Sequence, residues 1–359
     1  LYPFKEKLLN GMSERGYSAE FAERIFKQIC GFGEYGFPES HSASFAVLAY
    51  VSAWLKYYYP SVFYCALLNS YPMGFYSPAQ LVQDAKRHAV TIYDVDINAS
   101  SYDHTLEAIN VINSKQQPFA LRLGLRQIKG LSRQAADTVV AQRPTTGYQK
   151  LSDIKGLGYE QQTVTQKDLN ALASSGALHS FGDNRYVLRW LMMDDLYDLP
   201  LFRPLAPSVN DKTQQPSYIT RPDDQDNLIE DYQTLGLSLN HHPIALLQRH
   251  NQLGHFTQVQ HLATIHHQKP VTVIGVVTGR QSPGTASGVT FVTLEDHTGS
   301  SNVIVWQATA NAQKQAFLTS RILKVQGILE REGDVCHIIA GKLTDLSHLL
   351  EKLNPKARH

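Results

Sequence analysis

The sequence predicts a multidomain α+β protein, mostly helical over its first two thirds and built of strands near its C-terminus. Three observations predict it. The chain has 359 residues, which at roughly 100–200 residues per domain leaves room for about two to four domains. Apolar residues recur at helical spacing up to residue 195, whereas after Pro270 they fall into five short strand-like runs. Hydrophobic residues make up 43% of the chain, enough for several cores and too many for a disordered protein.

The elements follow in order. Residues 19–30 place Phe21, Ala22, Ile25, Phe26 and Ile29 on one helical face. Gly31, Gly33 and Gly36 then read as a turn, closed by Pro38. A long helix is expected from about Ser42 to Tyr59. Val47, Leu48, Val51, Trp54, Leu55 and Tyr58 form its apolar stripe, and Pro60 stops it. A short helix follows at 61–69. Ser77 is an N-cap with Pro78 at the first helical position, opening a helix to about Ala89. Residues 90–98 and 119–125 read as short strands, and 125–195 return to helices broken by glycine-containing hairpins. Five of the sixteen prolines fall within 199–225, an acidic stretch with little apolar periodicity that reads as an exposed connector. Two short helices are expected over 226–252, around Asn240-His241-His242-Pro243. Strands are expected at 271–279, 289–296, 301–306, 321–329 and 334–341, with a helix at 308–319. Five strands with a helix after the third is the layout of an OB-fold β-barrel.

Charge is nearly balanced, 33 Lys+Arg against 32 Asp+Glu, but unevenly spread. Residues 115–156 hold eight basic groups (Lys115, Arg122, Arg126, Lys129, Arg133, Arg143, Lys150 and Lys155) against Asp137 and Asp153, a net +6. Residues 183–235 hold ten acidic and five basic groups, a net −5. A basic patch suits nucleic acid, and solvated helix faces explain the same numbers. Cys30, Cys65 and Cys336 lie far apart without a CxxC, which excludes the usual zinc spacing, argues against a disulfide framework and fits a reducing cytoplasm. No apolar run reaches the roughly 18 residues of a membrane span. The start, Leu1-Tyr2-Pro3, lacks a methionine and reads as the middle of something longer.

Two pentapeptides suit a helix-hairpin-helix module: Ile128-Lys129-Gly130-Leu131-Ser132 before a helix that begins at Arg133, and Ile154-Lys155-Gly156-Leu157-Gly158. Glycine lets such a turn approach a phosphate closely. The following helix offers free N–H groups to the anion, and Lys129 or Lys155 adds charge. Contacts of this kind position nucleic acid without reading its sequence. Ordinary helix-linking turns are the plainer reading. In the barrel, Arg280, Phe291, Trp306, Lys324 and His337 are candidates for a single strand, with Phe291 or Trp306 stacking on a base. On the long helix His41, Phe45, Ser52 and Lys56 share a stripe away from the apolar face. Asp94-Val95-Asp96 has the look of a metal-binding pair but lacks a third carboxylate. His241-His242, His261 and His266-His267 lack partner ligands at metal spacing and read as surface or turn residues. No Walker loop, dinucleotide fingerprint or Ser-His-Asp signature is present.

Longer strings carry a resemblance. GFGEYGFPESHSASFA from Gly31, continuing to Trp54-Leu55-Lys56 and Tyr59-Pro60, closely resembles the fingers of the C-family bacterial DNA polymerases. LNSYPMGFYSP (68–78), LRLGLR (121–126), SPGTASG (282–288), TLEDHTG (293–299) and NVIVW (302–306) narrow the resemblance to the error-prone, damage-inducible branch related to the polymerase III alpha subunit. It covers nearly the whole chain, least strongly at 150–225.

The resemblance implies the C-terminal half of such an enzyme. Its order is fingers (1–90), a little-finger or connecting segment (91–118), a helix-hairpin-helix region (119–198), a Pro-rich acidic connector (199–225), a short helical segment (226–268), the OB fold (269–345) and a tail (346–359). It implies error-prone synthesis across lesions on primer–template DNA and single-stranded template, with dNTP met by the fingers. His41 is implied near the triphosphate, Phe45 near the nascent base pair, and Asp94 and Asp96 in a structural stretch. The family's palm, with the aspartates that hold Mg2+, lies upstream of these residues, so this chain is expected to bind DNA without extending a primer. The implied surroundings are a bacterial cytoplasm with other translesion proteins, and a sliding clamp reached indirectly. Gln233-Thr234-Leu235-Gly236-Leu237 fits a clamp-binding peptide only loosely. Two other readings stay open: a stand-alone, non-catalytic nucleic-acid-binding module, and a tRNA-binding appendage.

Overall fold

The computed structural model describes residues 4–35, 39–74, 76–109, 118–161, 163–193, 219–283, 288–333 and 335–353. The connector expected at 199–225 lies outside them up to residue 218, as do Lys115 and much of the SPGTASG string. The chain is mixed α+β and divides into two compact units, Leu1–Tyr59 and Pro60–His359.

The first unit is helical: α1 (Lys5–Glu14), α2 (Ala19–Tyr35) and α3 (Glu39–Tyr58). Ala22 and Phe26 of α2 are buried, and Lys5 of α1 lies over the Phe26 ring. Two expectations are corrected here. The turn expected at Gly31 and Gly33 is helix, because α2 continues to Tyr35; a glycine weakens a helix interior by only about 1 kcal/mol and does not end it. The stripe expected to pack one side of α3 is open within this unit, with Val47 62% and Leu48 59% exposed. Apolar side chains stand on every side of α3, so it has no single face to bury. Trp54 instead contacts Tyr58 and Tyr59, at ring separations of 5.1 and 5.5 Å.

The second unit opens with α4 (Pro60–Asn69) and α5 (Pro78–Arg87). Pro60 begins α4 rather than merely ending α3, as its missing N–H allows at a first helical position. Ser77 caps α5 in a capping box with Gln80. A three-stranded sheet follows, β1 (Ile92–Tyr93), β2 (Thr105–Ala108) and β3 (Phe119–Arg122), in the order β1-β3-β2. The expected strand at 90–98 shrinks to two residues, because Asp96 turns the chain by accepting the Asn98 amide. Strand β2 was not expected; a bidentate Arg122–Glu107 pair joins it to β3. Four helices come next, α6 (Arg133–Ala141), α7 (Leu151–Gln161), α8 (Gln166–Ser174) and α9 (Arg185–Met193), sharing one core with α4, α5 and the sheet.

Helices α10 (Asp224–Thr234) and α11 (Pro243–Arg249) realise the expected pair, with His242 as N-cap of α11. After α12 (Val259–Leu262) come β4 (Pro270–Gln281), β5 (Val289–Asp296), β6 (Gly299–Trp306), α13 (Gln307–Ala312), α14 (Lys314–Thr319), β7 (Ile322–Glu332), β8 (Val335–Asp345) and α15 (His348–Leu353). The five strands close a barrel in the order β4-β5-β6-β8-β7, with β6 and β8 parallel. Alternation explains the closure: Val292, Leu294, Val303, Val305, Val325 and Ile338 fill the interior while their neighbours face outward. A separate apolar cluster of Leu228, Ile244, Ile274, Ile322 and Leu349 joins α10, α11 and α15 to the barrel.

Candidate nucleic-acid interface

The first hairpin has the expected geometry. A single 3-10 turn (Leu125–Gln127) leads into Ile128, which is buried, and Gly130 takes the left-handed φ of +84° that a residue with a β-carbon resists. Ser132 then caps α6, its hydroxyl accepting the Ala135 amide at 3.1 Å. The amides of Gly130, Arg133 and Gln134 have no acceptor among the described residues. Such amides at the positive end of a helix suit a phosphate oxygen.

The cation at this turn is not the one that spacing suggests. Lys129 sends its ammonium to the Tyr232 carbonyl at 2.9 Å, and its amide to the Thr234 carbonyl at 2.8 Å. Both acceptors end α10, and Gln127 holds the next one, the Leu235 carbonyl, at 2.6 Å. Arg133 pairs with Asp137 at 3.1 Å and stacks over the Tyr102 ring at 4.0 Å. Lys167, from the first turn of α8, lies over Gly130 instead: a β-carbon on that glycine would stand 3.8 Å from Lys167 Cε. Sequence reasoning missed Lys167, since only the fold brings residues 130 and 167 together.

The second pentapeptide is not a hairpin. Lys155, Gly156 and Gly158 lie inside α7. Leu151, Ile154 and Leu157 are buried at three-residue steps, so the same apolar spacing that imitates a hairpin builds a helix face. The turn expected at 154–158 is helix instead, as α7 runs through all five residues.

The barrel divides its candidates. Val289, Phe291 and Thr293 alternate outward on β5, and Asn302, Ile304 and Trp306 do so on β6. Trp306 stands opposite Val289, and Phe291 opposite Ile304, so the two aromatics share one outer face. Trp306 is 52% exposed and Phe291 half-buried. His337 borders the same face opposite Asn302, its Nδ1 buried without a partner among the described residues. Lys324 does not join them. It stands opposite Ile274 on β4, on the side that α10, α11 and α15 cover. Arg280 is likewise committed, donating to the carbonyls of Phe317 and Ser320 at the end of α14.

On α3, His41 and Phe45 meet edge to face at 4.4 Å, one helical turn apart. Lys56 shares their stripe but sits in the last turn. Fifteen residues at 1.5 Å each separate it from His41, about 22 Å, so the three side chains do not converge on one small ligand.

The residues set aside as metal ligands have other work. Asp94 is half-buried, and desolvation, with the charge of Asp231, raises its carboxyl above the ordinary value against the opposing charges of His179, Arg185 and Lys86. No group of three or more His, Cys, Asp or Glu is placed to hold a metal ion among the described residues. One histidine reading is corrected. His242 is buried rather than on the surface: its Nδ1 accepts the Ile244 amide, and its Nε2 lies 3.8 Å from the buried Glu295. The loose clamp-peptide match is also accounted for, since Leu235 and Leu237 are buried in the core shared with α6 to α9. No helix among the described residues is long and apolar enough to cross a membrane.

Comparison with known proteins agrees with these parts. Residues 89–188 match a helix-hairpin-helix motif family, and residues 271–346 match an OB-fold nucleic acid binding domain. Over all 359 residues the chain is 55% identical to a protein of Vibrio vulnificus named "Error-prone DNA polymerase". It is 56% identical over 359 residues to the protein of that name from Vibrio parahaemolyticus, and 45% over 358 residues to the one from Pseudomonas fluorescens. In each case the whole chain is covered, against 33%, 33% and 34% of the relative. The chain thus spans about a third of the length of the curated relatives it matches.

Proposed function

We propose that this chain, aligned from end to end with error-prone DNA polymerases, is the C-terminal, DNA-gripping portion of such an enzyme. The observation that carries the reading is the end-to-end alignment itself. One chain that holds a glycine hairpin with open amides and a closed barrel with an aromatic outer face adds physical support. In this reading the hairpin before α6 holds duplex phosphates behind the active site without reading sequence. The face of Phe291 and Trp306 stacks on bases of the single-stranded template.

Helix α3 belongs to the fingers, with His41 toward the triphosphate of the incoming dNTP and Phe45 toward the nascent base pair. Lys56 serves a more distant part of the same surface. A helix apolar on all sides is one that a larger core surrounds, which supports its place inside a bigger polymerase. The Mg2+ of nucleotidyl transfer is assigned to palm aspartates upstream of this sequence, and the one carboxylate pair here that imitates a metal site, Asp94 and Asp96, is engaged in the fold. The enzyme's role is low-fidelity synthesis across lesions in damage-induced mutagenesis and repair. It acts in the bacterial cytoplasm with other translesion proteins and reaches a sliding clamp indirectly.

The test is the size of the native polypeptide, read with an antibody raised against this chain, together with primer extension by the species recovered. A band far above 40.2 kDa that extends a primer past a template lesion is the expected result. A band near 40.2 kDa without extension would replace this reading with a non-catalytic DNA-binding module.

A further inference from the structure

We propose that Lys167, not Lys129, is the cation that meets the duplex phosphate at the hairpin before α6. The inference rests on the reading of that hairpin as a duplex grip. The chemistry recognised is the phosphodiester backbone of double-stranded DNA.

Two helix starts converge at the turn. Asp168 Oδ1 accepts the Ser132 amide at 2.8 Å, and its Oδ2 accepts the Thr165 amide at 2.9 Å and the Thr165 hydroxyl at 2.6 Å. One buried carboxylate therefore pins the beginnings of α6 and α8 together, each of nine residues. Both oxygens of Asp168 are consumed inside the fold and the residue is 2% exposed. The amides of Gly130, Arg133 and Gln134 remain for an outside anion.

Of the cations at this turn, Lys129 is spent on the end of α10 and Arg133 on Asp137 and Tyr102. Lys167 is exposed, forms no ion pair among the described residues, and lies over Gly130. It joins the turn's open amides with a flexible point charge, the combination that neutralises a phosphate without fixing base identity. In sequence it stands 37 positions from Gly130 and outside the basic segment, which ends at residue 156.

The test is the salt dependence of binding between the whole 359-residue chain and a blunt duplex, for wild type, Lys167→Ala, Lys167→Arg and Arg133→Ala. Each neutralised phosphate contributes about 0.9 to the slope of log K against log salt. Lys167→Ala is expected to lower the slope by about 1 and weaken all duplex sequences alike, whereas Lys167→Arg keeps the wild-type slope. A slope unchanged in Lys167→Ala but lowered in Arg133→Ala would overturn the assignment and leave the hairpin grip standing. A slope unchanged in both would remove the hairpin grip and the assignment together. Equal melting temperatures across the series establish that an effect on binding is not a loss of fold.

Discussion

The ammonium of Lys129 donates to the carbonyl of Tyr232 at 2.9 Å, so the charge of the hairpin caps the C-terminus of α10. A cation there meets both an unpaired carbonyl and the negative end of the helix. Lys129→Met is therefore expected to cost about 0.5–1.5 kcal/mol of stability, the range of one net hydrogen bond. Urea unfolding reads this directly. The same variant should leave the salt slope of duplex binding unchanged, and a lowered slope would return Lys129 to the DNA.

Gly156 distinguishes a turn from a helix. It lies inside α7, and a β-carbon there would meet nothing within 4 Å. Gly156→Ala should raise stability by about 0.5–1 kcal/mol, since alanine is the better residue in a helix interior. DNA affinity should not move. Destabilisation with weakened binding would mean that residues 154–158 form an anion-binding turn after all.

His104 makes stability depend on pH. Burial and the neighbouring Arg126 guanidinium hold its imidazole down at about 4, from an ordinary 6.5. Its Nδ1 accepts the Gly124 amide at 3.0 Å, which requires the neutral ring. Because the folded value is depressed, the contribution is complete above pH 6.5 and is lost as pH falls toward 4. The window is worth roughly 3 kcal/mol at 1.36 kcal/mol per pH unit. Urea midpoints from pH 7 to pH 4.5 should fall steeply in wild type and more shallowly in His104→Gln. Parallel curves would show that folding does not depress the His104 value.

Trp306 is exposed at the end of β6, beside Phe291 on the neighbouring strand. If it stacks on a base, Trp306→Ala weakens single-strand binding by about 1–3 kcal/mol with little change in stability. Anisotropy with a short labelled oligonucleotide measures the first and thermal unfolding the second. A stability loss without an affinity loss would make Trp306 a packing residue of the barrel.

The barrel was legible because a strand leaves a local signature. The β-branched and apolar runs around Val273, Val292, Val303, Val325 and Ile338 set its strands within a few residues. The cap at Ser77 and the break at Pro60 were legible for the same reason. Local spacing was ambiguous at Ile154, Gly156 and Leu157, where a hairpin and a helix place apolar residues at the same steps. The partners of the hairpin were not legible at all. Asp168, Lys167 and Tyr232 reach it from 36 to 103 positions away in sequence, and no local pattern records such contacts. The openness of α3 also lay beyond pattern, because a stripe says what a helix has to bury and not what is there to cover it.

The most direct test of the account is a titration of the purified chain against a labelled primer–template junction over a range of salt, with tRNA as competitor. The account predicts binding to the junction, a linear fall of log K with log salt, and weak competition by tRNA. Preferential binding of tRNA, or no salt-dependent binding of the junction, would contradict it.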